Sequence, residues 1–154
     1  MDTAVGPQPD LGDLLYRLVE LDFDAIEAYQ AALVRFDDTR YRSRMSSFEQ
    51  DHSRHVHELS VLLRAMDREP PAGPNMKKYL STGKVVIAGL INDRAILMAM
   101  ITNEDDMTVA YERAVARTDL SVEIRELLER HLSDERRHRE WFREQLSSLR
   151  GKGG

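Results

Sequence analysis

Leu127-Leu128-Glu129-Arg130-His131-Leu132-Ser133-Asp134-Glu135-Arg136-Arg137-His138-Arg139-Glu140-Trp141-Phe142 is the stretch whose reading decides the fold. Ile124, Leu128, Phe142 and Leu149 recur at the three- and four-residue steps of one helical face. Between Leu128 and Phe142 the same steps land on His131, Glu135 and His138. A helix that turns such side chains inward needs partners for them. Burying one alone costs several kcal/mol or forces it to neutralise.

Working outward, three more stretches supply those partners. The spacing predicts a first helix from about Asp10 to Phe36, with Leu11, Leu15, Leu18, Ala25, Tyr29 and Ala32 on its stripe and Asp22 in the polar gap. Asp10 or Asp13 can cap it. A second helix is expected from about Thr39 to Met66, where the stripe of Met45, Phe48, Leu59, Leu62 and Met66 is interrupted by His52 and His55. The short Asp37-Asp38-Thr39 link makes these two an antiparallel hairpin. Asp67-Arg68-Glu69-Pro70-Pro71-Ala72-Gly73-Pro74 then stops any helix. A third helix is expected from about Val85 to Arg117, with Leu90, Leu97, Ile101, Thr108 and Tyr111 inward, Glu104 in the gap and Arg94 on an inward phase. Ser121 caps the fourth, which runs to about Leu149. The weakly patterned connection from Asp67 to Val85 is longer than a bundle turn, and it suits a crossover running the length of the bundle. The fold class is therefore all-α: an antiparallel four-helix bundle over residues 10–150. Residues 1–9 and 151–154 are read as frayed tails.

Composition bounds the chemistry. The 154 residues include no Cys, which excludes disulfides, thiolate metal sites and thiol nucleophiles. A formal charge of −5 argues against a nucleic-acid partner. The chain shows no run of membrane-span length and no leader pattern, so the cytoplasm is the expected compartment.

The halves resemble each other. Asp22 and Tyr29 parallel Glu104 and Tyr111 at an offset of 82 residues, and Asp51-His52-Ser53-Arg54-His55 parallels Asp134-Glu135-Arg136-Arg137-His138 at 83. Height agrees with phase. Folding helices 1 and 2 back at Asp38 sets Asp22 between His52 and His55, and folding helices 3 and 4 back at Asp119 sets Glu104 level with Glu135. Nitrogen and hard-oxygen donors in such a cluster suit iron, manganese or zinc.

One carboxylate, then about thirty residues, then a carboxylate-x-x-His, used twice, resembles the ferritin-like di-iron carboxylate superfamily. Asp134-Glu135-Arg136-Arg137-His138 matches its D-E-x-R-H signature. Asn92-Asp93-Arg94-Ala95-Ile96-Leu97, Glu104-Asp105-Asp106 and Ala110-Tyr111-Glu112-Arg113-Ala114 resemble a group of bacterial ferritin-like proteins. The resemblance implies a ferritin-like topology with the crossover between helices 2 and 3. It implies metal ligands at Asp22, His55, Glu104, Glu135 and His138, with Asp51 and Asp134 orienting imidazoles. It also implies a pair of iron ions that reacts with oxygen or peroxide. Two positions depart from the pattern: residue 22 is Asp rather than Glu, and His52 stands where a bridging Glu is usual. His52 joins the expected ligand set on its own phase.

Simpler readings stand beside these. His131, whose counterpart in the first half is Phe48, reads as a core or supporting residue before a ligand. Tyr29 and Tyr111 read as packing groups with satisfied hydroxyls, although a relay role is open to them. Glu49-x-x-His52 with Glu27 is an alternative reading that falls off phase, Trp141 is read as packing, and the Arg/Glu runs of the last helix as ion-paired surface. A saturated mononuclear site for zinc, manganese or iron, or a metal-free helical scaffold, are the rivals to a redox centre. Self-association, a dimer first, is expected of the exposed faces.

Overall fold

The computed structural model describes residues 10–74, 87, 90 and 92–153, with side chains as far as Leu149. Among the described residues four helices make the fold: α1 Leu11–Leu33, α2 Thr39–Ala65, α3 Asp93–Val115 and α4 Val122–Gly153. Each begins where a short polar side chain takes up a backbone N–H that the helix cannot satisfy itself. Asp10 accepts from Asp13 N, Asp38 from Arg40 N, Asn92 from Ala95 N and Ser121 from Ile124 N. No helix among the described residues is long and apolar enough to cross a membrane.

The end of α2 is set by its backbone. Asp67 adopts φ 58, and the N–H groups of Asp67 and Arg68 reach back to the carbonyls of Arg64 and Leu63, at 3.0 and 2.9 Å. This is a Schellman closure, in which glycine is the usual occupant of the left-handed position. Arg68 then pairs with Asp13, tying the end of α2 to the start of α1.

Two boundaries differ from the periodicity. The third helix starts at Asp93, not near Val85, because Asn92 is extended (φ −132, ψ 154) and interrupts any helix arriving from before it; Val85 itself lies outside the described residues. Arg94 is consequently exposed on the first turn, and Ile96, Leu97 and Met100 take the inward face. At the other end α4 continues past Leu149 to Gly153, into the stretch expected to fray.

The helices pack most closely within each hairpin, α1 on α2 and α3 on α4. Laterally α1 meets α3 and α2 meets α4. The backbone N–H of Asp37, in the α1–α2 turn, donates to Asp93 at the head of α3, 3.2 Å. The end of α2 and the start of α3 therefore lie at opposite ends of the bundle, and every laterally adjacent pair is antiparallel. Residues 75–86, 88, 89 and 91, on which the expected crossover falls, lie outside the described residues.

Two apolar clusters fill the interior. One gathers Tyr29, Phe36, Met45, Phe48, Leu97 and Phe142 towards the α1–α2 turn; the other gathers Leu15, Leu18, Leu59, Leu63, Leu128 and Leu132 towards the far end. The polar residues picked out by phase lie in the layer between them.

Candidate metal centre

Each helix lends this layer what its phase dictates: Asp22 from α1, His52 and His55 from α2, Glu104 from α3, and Glu135 and His138 from α4. All six are 0 or 1% exposed. They form two groups of four whose donor atoms lie within 4.8 Å of one another. Asp22, His52, His55 and Glu135 make one; His52, Glu104, Glu135 and His138 make the other. His52 and Glu135, pseudo-equivalent at the 83-residue offset, belong to both.

The first group is knitted by hydrogen bonds. Oδ1 of Asp22 lies 2.7 Å from Nδ1 of His52 and 3.2 Å from Nδ1 of His55, while its Oδ2 accepts the Tyr111 hydroxyl at 2.5 Å. The second is more open. Nε2 of His52 stands 3.5 Å from Glu104 Oε1, and Nδ1 of His138 stands 3.5 and 3.7 Å from Glu104 Oε2 and Glu135 Oε2. His52 Nε2, Glu104 Oε2, both carboxylate oxygens of Glu135 and His138 Nδ1 are buried with no hydrogen-bond partner. Orphaned polar atoms of this kind are rare in native interiors because each carries its full desolvation cost. Five of them facing one small space is a donor set that a cation would satisfy.

The surrounding residues hold this layer by crossing between halves. Tyr29 of α1 donates to Glu104 of α3, 2.7 Å, and Tyr111 of α3 donates to Asp22 of α1. Asp134 of α4 holds Nε2 of His55, 2.9 Å, and Asp51 of α2 holds Nε2 of His138, 2.7 Å. The α1–α3 contact is thus closed by tyrosine–carboxylate pairs and the α2–α4 contact by aspartate–imidazole pairs. The aspartates leave Nδ1 of each imidazole facing the centre, the arrangement by which a carboxylate fixes a ligating ring.

Charge follows from these contacts. Burial opposes ionisation of Asp22, but the charge of His55 and the hydrogen bonds of His52 and His55 outweigh it and hold its carboxyl below the usual range. Burial likewise disfavours the imidazolium of His55, yet Asp22 and Asp134 push it up to about 10. His138 is pushed up to about 10 against its burial by Asp51, Glu104 and Glu135. Glu135 departs from Asp22: burial raises its carboxyl, and the attraction of His52 does not reverse this. Without a cation, protons hold the cluster together.

His131 belongs to neither group. Its ring stacks on His55 at a centroid distance of 3.9 Å, Nδ1 lies 3.3 Å from the Tyr111 hydroxyl and Nε2 lies 2.8 Å from Glu58. Burial, with the charge of His55, lowers it to about 4, so it is neutral near pH 7. Its counterpart Phe48 stacks in the same way on His138, 4.2 Å, and Trp141 packs on Phe48. Glu49, from the alternative pattern, accepts from Gln30 and is absent from both donor groups. Three residues escaped the sequence reading: Glu58, and the pair Arg54 and Arg137. Nη2 of Arg54 bridges Asp51 and Asp134 at 2.9 and 2.8 Å, and Nη2 of Arg137 bridges the same two at 2.9 and 2.8 Å. The signal was present as Asp-x-x-Arg repeated at the 83-residue offset.

Fold and site together define the class: an all-α four-helix bundle with a buried histidine–carboxylate centre able to hold metal. Residues 10–117, more than two thirds of the chain, match the family described as Domain of unknown function (DUF2383), and the chain belongs to that family. The match takes in α1 to α3 and ends before α4. No curated protein matches the chain.

Proposed function

We propose that this protein is a ferritin-like metal-binding protein whose centre takes up two transition-metal ions, iron first, and uses them in redox chemistry with dioxygen or peroxide. Manganese and zinc are the alternative occupants. The observation that carries the reading is the pair of overlapping four-residue groups whose unpartnered nitrogen and oxygen atoms converge between α1–α2 and α3–α4. Asp22, His52, His55, Glu104, Glu135 and His138 would hold the ions. The donor set fits iron: imidazole nitrogen with carboxylate oxygen and no thiolate. A bound iron pair supplies electrons for reducing oxygen or peroxide. Asp51 and Asp134 orient the rings of His138 and His55, Tyr29 and Tyr111 fix the rotamers of Glu104 and Asp22, and the two apolar clusters keep bulk water from the layer. The resemblance of Asp134-Glu135-Arg136-Arg137-His138 to the di-iron signature supports the redox assignment. Within the same proposal the protein acts in the cytoplasm as a homo-oligomer, a dimer first, which sedimentation velocity tests.

One observation favours a second reading, a mononuclear binding protein: Asp22 already satisfies both its oxygens with protein donors. Metal content per chain separates the two. After anaerobic incubation with Fe(II), Mn(II) or Zn(II) and desalting, close to two iron ions per chain are expected. They should be absent from an Asp22→Ala, Glu135→Ala variant, and oxygen should be consumed when the loaded protein is aerated. One ion with no oxygen uptake supports the mononuclear reading, and no metal in either protein sinks both.

A further inference from the structure

Two atoms bound to one ion at about 2.1 Å in a tetrahedral array stand about 3.4 Å apart. The Glu104 side of the centre meets that spacing without rearrangement: 3.5 Å from His52 Nε2 to Glu104 Oε1, 3.5 Å from His138 Nδ1 to Glu104 Oε2, and 3.7 Å from His138 Nδ1 to Glu135 Oε2. None of His52 Nε2, Glu104 Oε2, Glu135 Oε2 and His138 Nδ1 has a hydrogen bond to give up. The Asp22 side is different. Its edge from Asp22 Oδ1 to His52 Nδ1 is 2.7 Å, a hydrogen bond well short of the tetrahedral spacing, and the neighbouring edge to His55 Nδ1, also hydrogen-bonded, is 3.2 Å. Here Glu135 Oε1 is unpartnered and stands 3.4 Å from Nδ1 of both His52 and His55, but those two nitrogens and both oxygens of Asp22 are already engaged in hydrogen bonds.

We infer that the centre loads in a fixed order: a preformed position of His52, Glu104, Glu135 and His138 fills first, and a latent position of Asp22, His52, His55 and Glu135 fills second and more weakly. The pseudo-symmetry of the halves does not extend to their readiness, because Glu104 is one methylene longer than Asp22. Glu104 receives its tyrosine on Oε1 and keeps Oε2 free, whereas Asp22 spends both oxygens on protein donors. A second ion must displace two imidazole–carboxylate hydrogen bonds before it can bind, and hydrogen bonds to charged groups are worth enough to weaken that step about tenfold or more. His52 and Glu135 serve both positions, so the first ion engages two donors that the second also needs.

The inference rests on the metal-binding reading, and titration of the metal-free full chain with Co(II), followed by visible absorption and calorimetry, separates the failure of one from that of the other. The wild-type protein is expected to take two equivalents in two resolved steps. His138→Ala should lose the tight step, and His55→Ala should keep the tight step at wild-type affinity and lose the weaker one. Glu104→Gln and Asp22→Asn, which alter no volume, repeat the comparison should either alanine variant fail to show the helical circular dichroism of the parent. Two steps of equal affinity, a tight step that survives His138→Ala and disappears in His55→Ala, or a single equivalent in the wild type would each overturn the order of loading while leaving metal binding intact. No Co(II) uptake at all would overturn both.

Discussion

Asp22 takes three protein contacts on two oxygens, from His52, His55 and Tyr111, and its Oδ2 rests on the Tyr111 hydroxyl. Tyr111→Phe keeps the ring that packs with Leu15, Leu18 and Leu59 in the apolar cluster at the far end and removes the one donor to Asp22 Oδ2. The expected loss is about 1–3 kcal/mol of unfolding free energy, the range for stranding a buried acceptor, read from urea denaturation of the metal-free protein. A change smaller than the error of that measurement would mean that the hydroxyl is not bonded as described. The imidazoles set the pH response. His55 and His138 are raised in the folded state to about 10 from an ordinary 6.5. The stability they contribute is therefore fully present below about 6.5 and lost as pH rises through about 10. The raised carboxyl of Glu135 acts in the same direction. The metal-free protein should accordingly melt at a lower temperature at pH 10 than at pH 6. Metal affinity should run oppositely, strengthening with pH as protons are displaced from the ligands. Thermal scans with and without Zn(II) across that window check both signs.

At the scale of the element, phase was legible and ends were not. Apolar residues at three- and four-residue steps located the inward face of α1, α2 and α4 because every side chain on a helix has its direction set by its number; the exception is Met66, which is exposed just past α2 while Leu63 is buried. The start of α3 lies later than the stripe implies: apolar residues such as Leu90 extend the periodicity upstream, whereas the helix is set by the Asn92 cap and its extended backbone. Arg94, placed inward by that longer phase, lies on the exposed first turn instead. The closure of α2 carries its own prediction. Asp67 holds the left-handed conformation that glycine adopts without steric cost, and no other described non-glycine residue has positive φ. Asp67→Gly should stabilise the protein by about 1 kcal/mol, seen as a raised denaturation midpoint. A lowered midpoint would show that the Asp67 side chain contributes more than its backbone costs.

Across the whole molecule the halves are joined by a ring of four charges. Arg54 and Arg137 each bridge Asp51 and Asp134, and those aspartates each hold an imidazole of the opposite half. Each aspartate keeps one arginine when the other is removed, and both guanidinium groups are half-exposed. Arg54→Ala or Arg137→Ala alone should therefore cost less than about 1 kcal/mol. The double variant should cost more than the two added, because it strips both aspartates at once. A double-mutant cycle by urea denaturation measures the coupling, and strict additivity would mean that the ring does not act as a unit.

What the sequence determined by itself was the four helices of the described residues, their antiparallel pairing into two hairpins, and the six polar residues that share one layer. Each follows from local rules: a periodicity of 3.6, caps and breakers, and a rise of 1.5 Å per residue that makes height a matter of counting. Tertiary structure alone decided which donor faces which. That Asp134 holds His55 rather than His138, that Tyr29 reaches Glu104 rather than Asp22, and that Glu104 keeps a free oxygen while Asp22 does not depend on lateral neighbours and rotamers. The physical reason is that periodicity sets where a side chain points from its own axis, while its partner is set by how four axes pack, and no single helix carries that information.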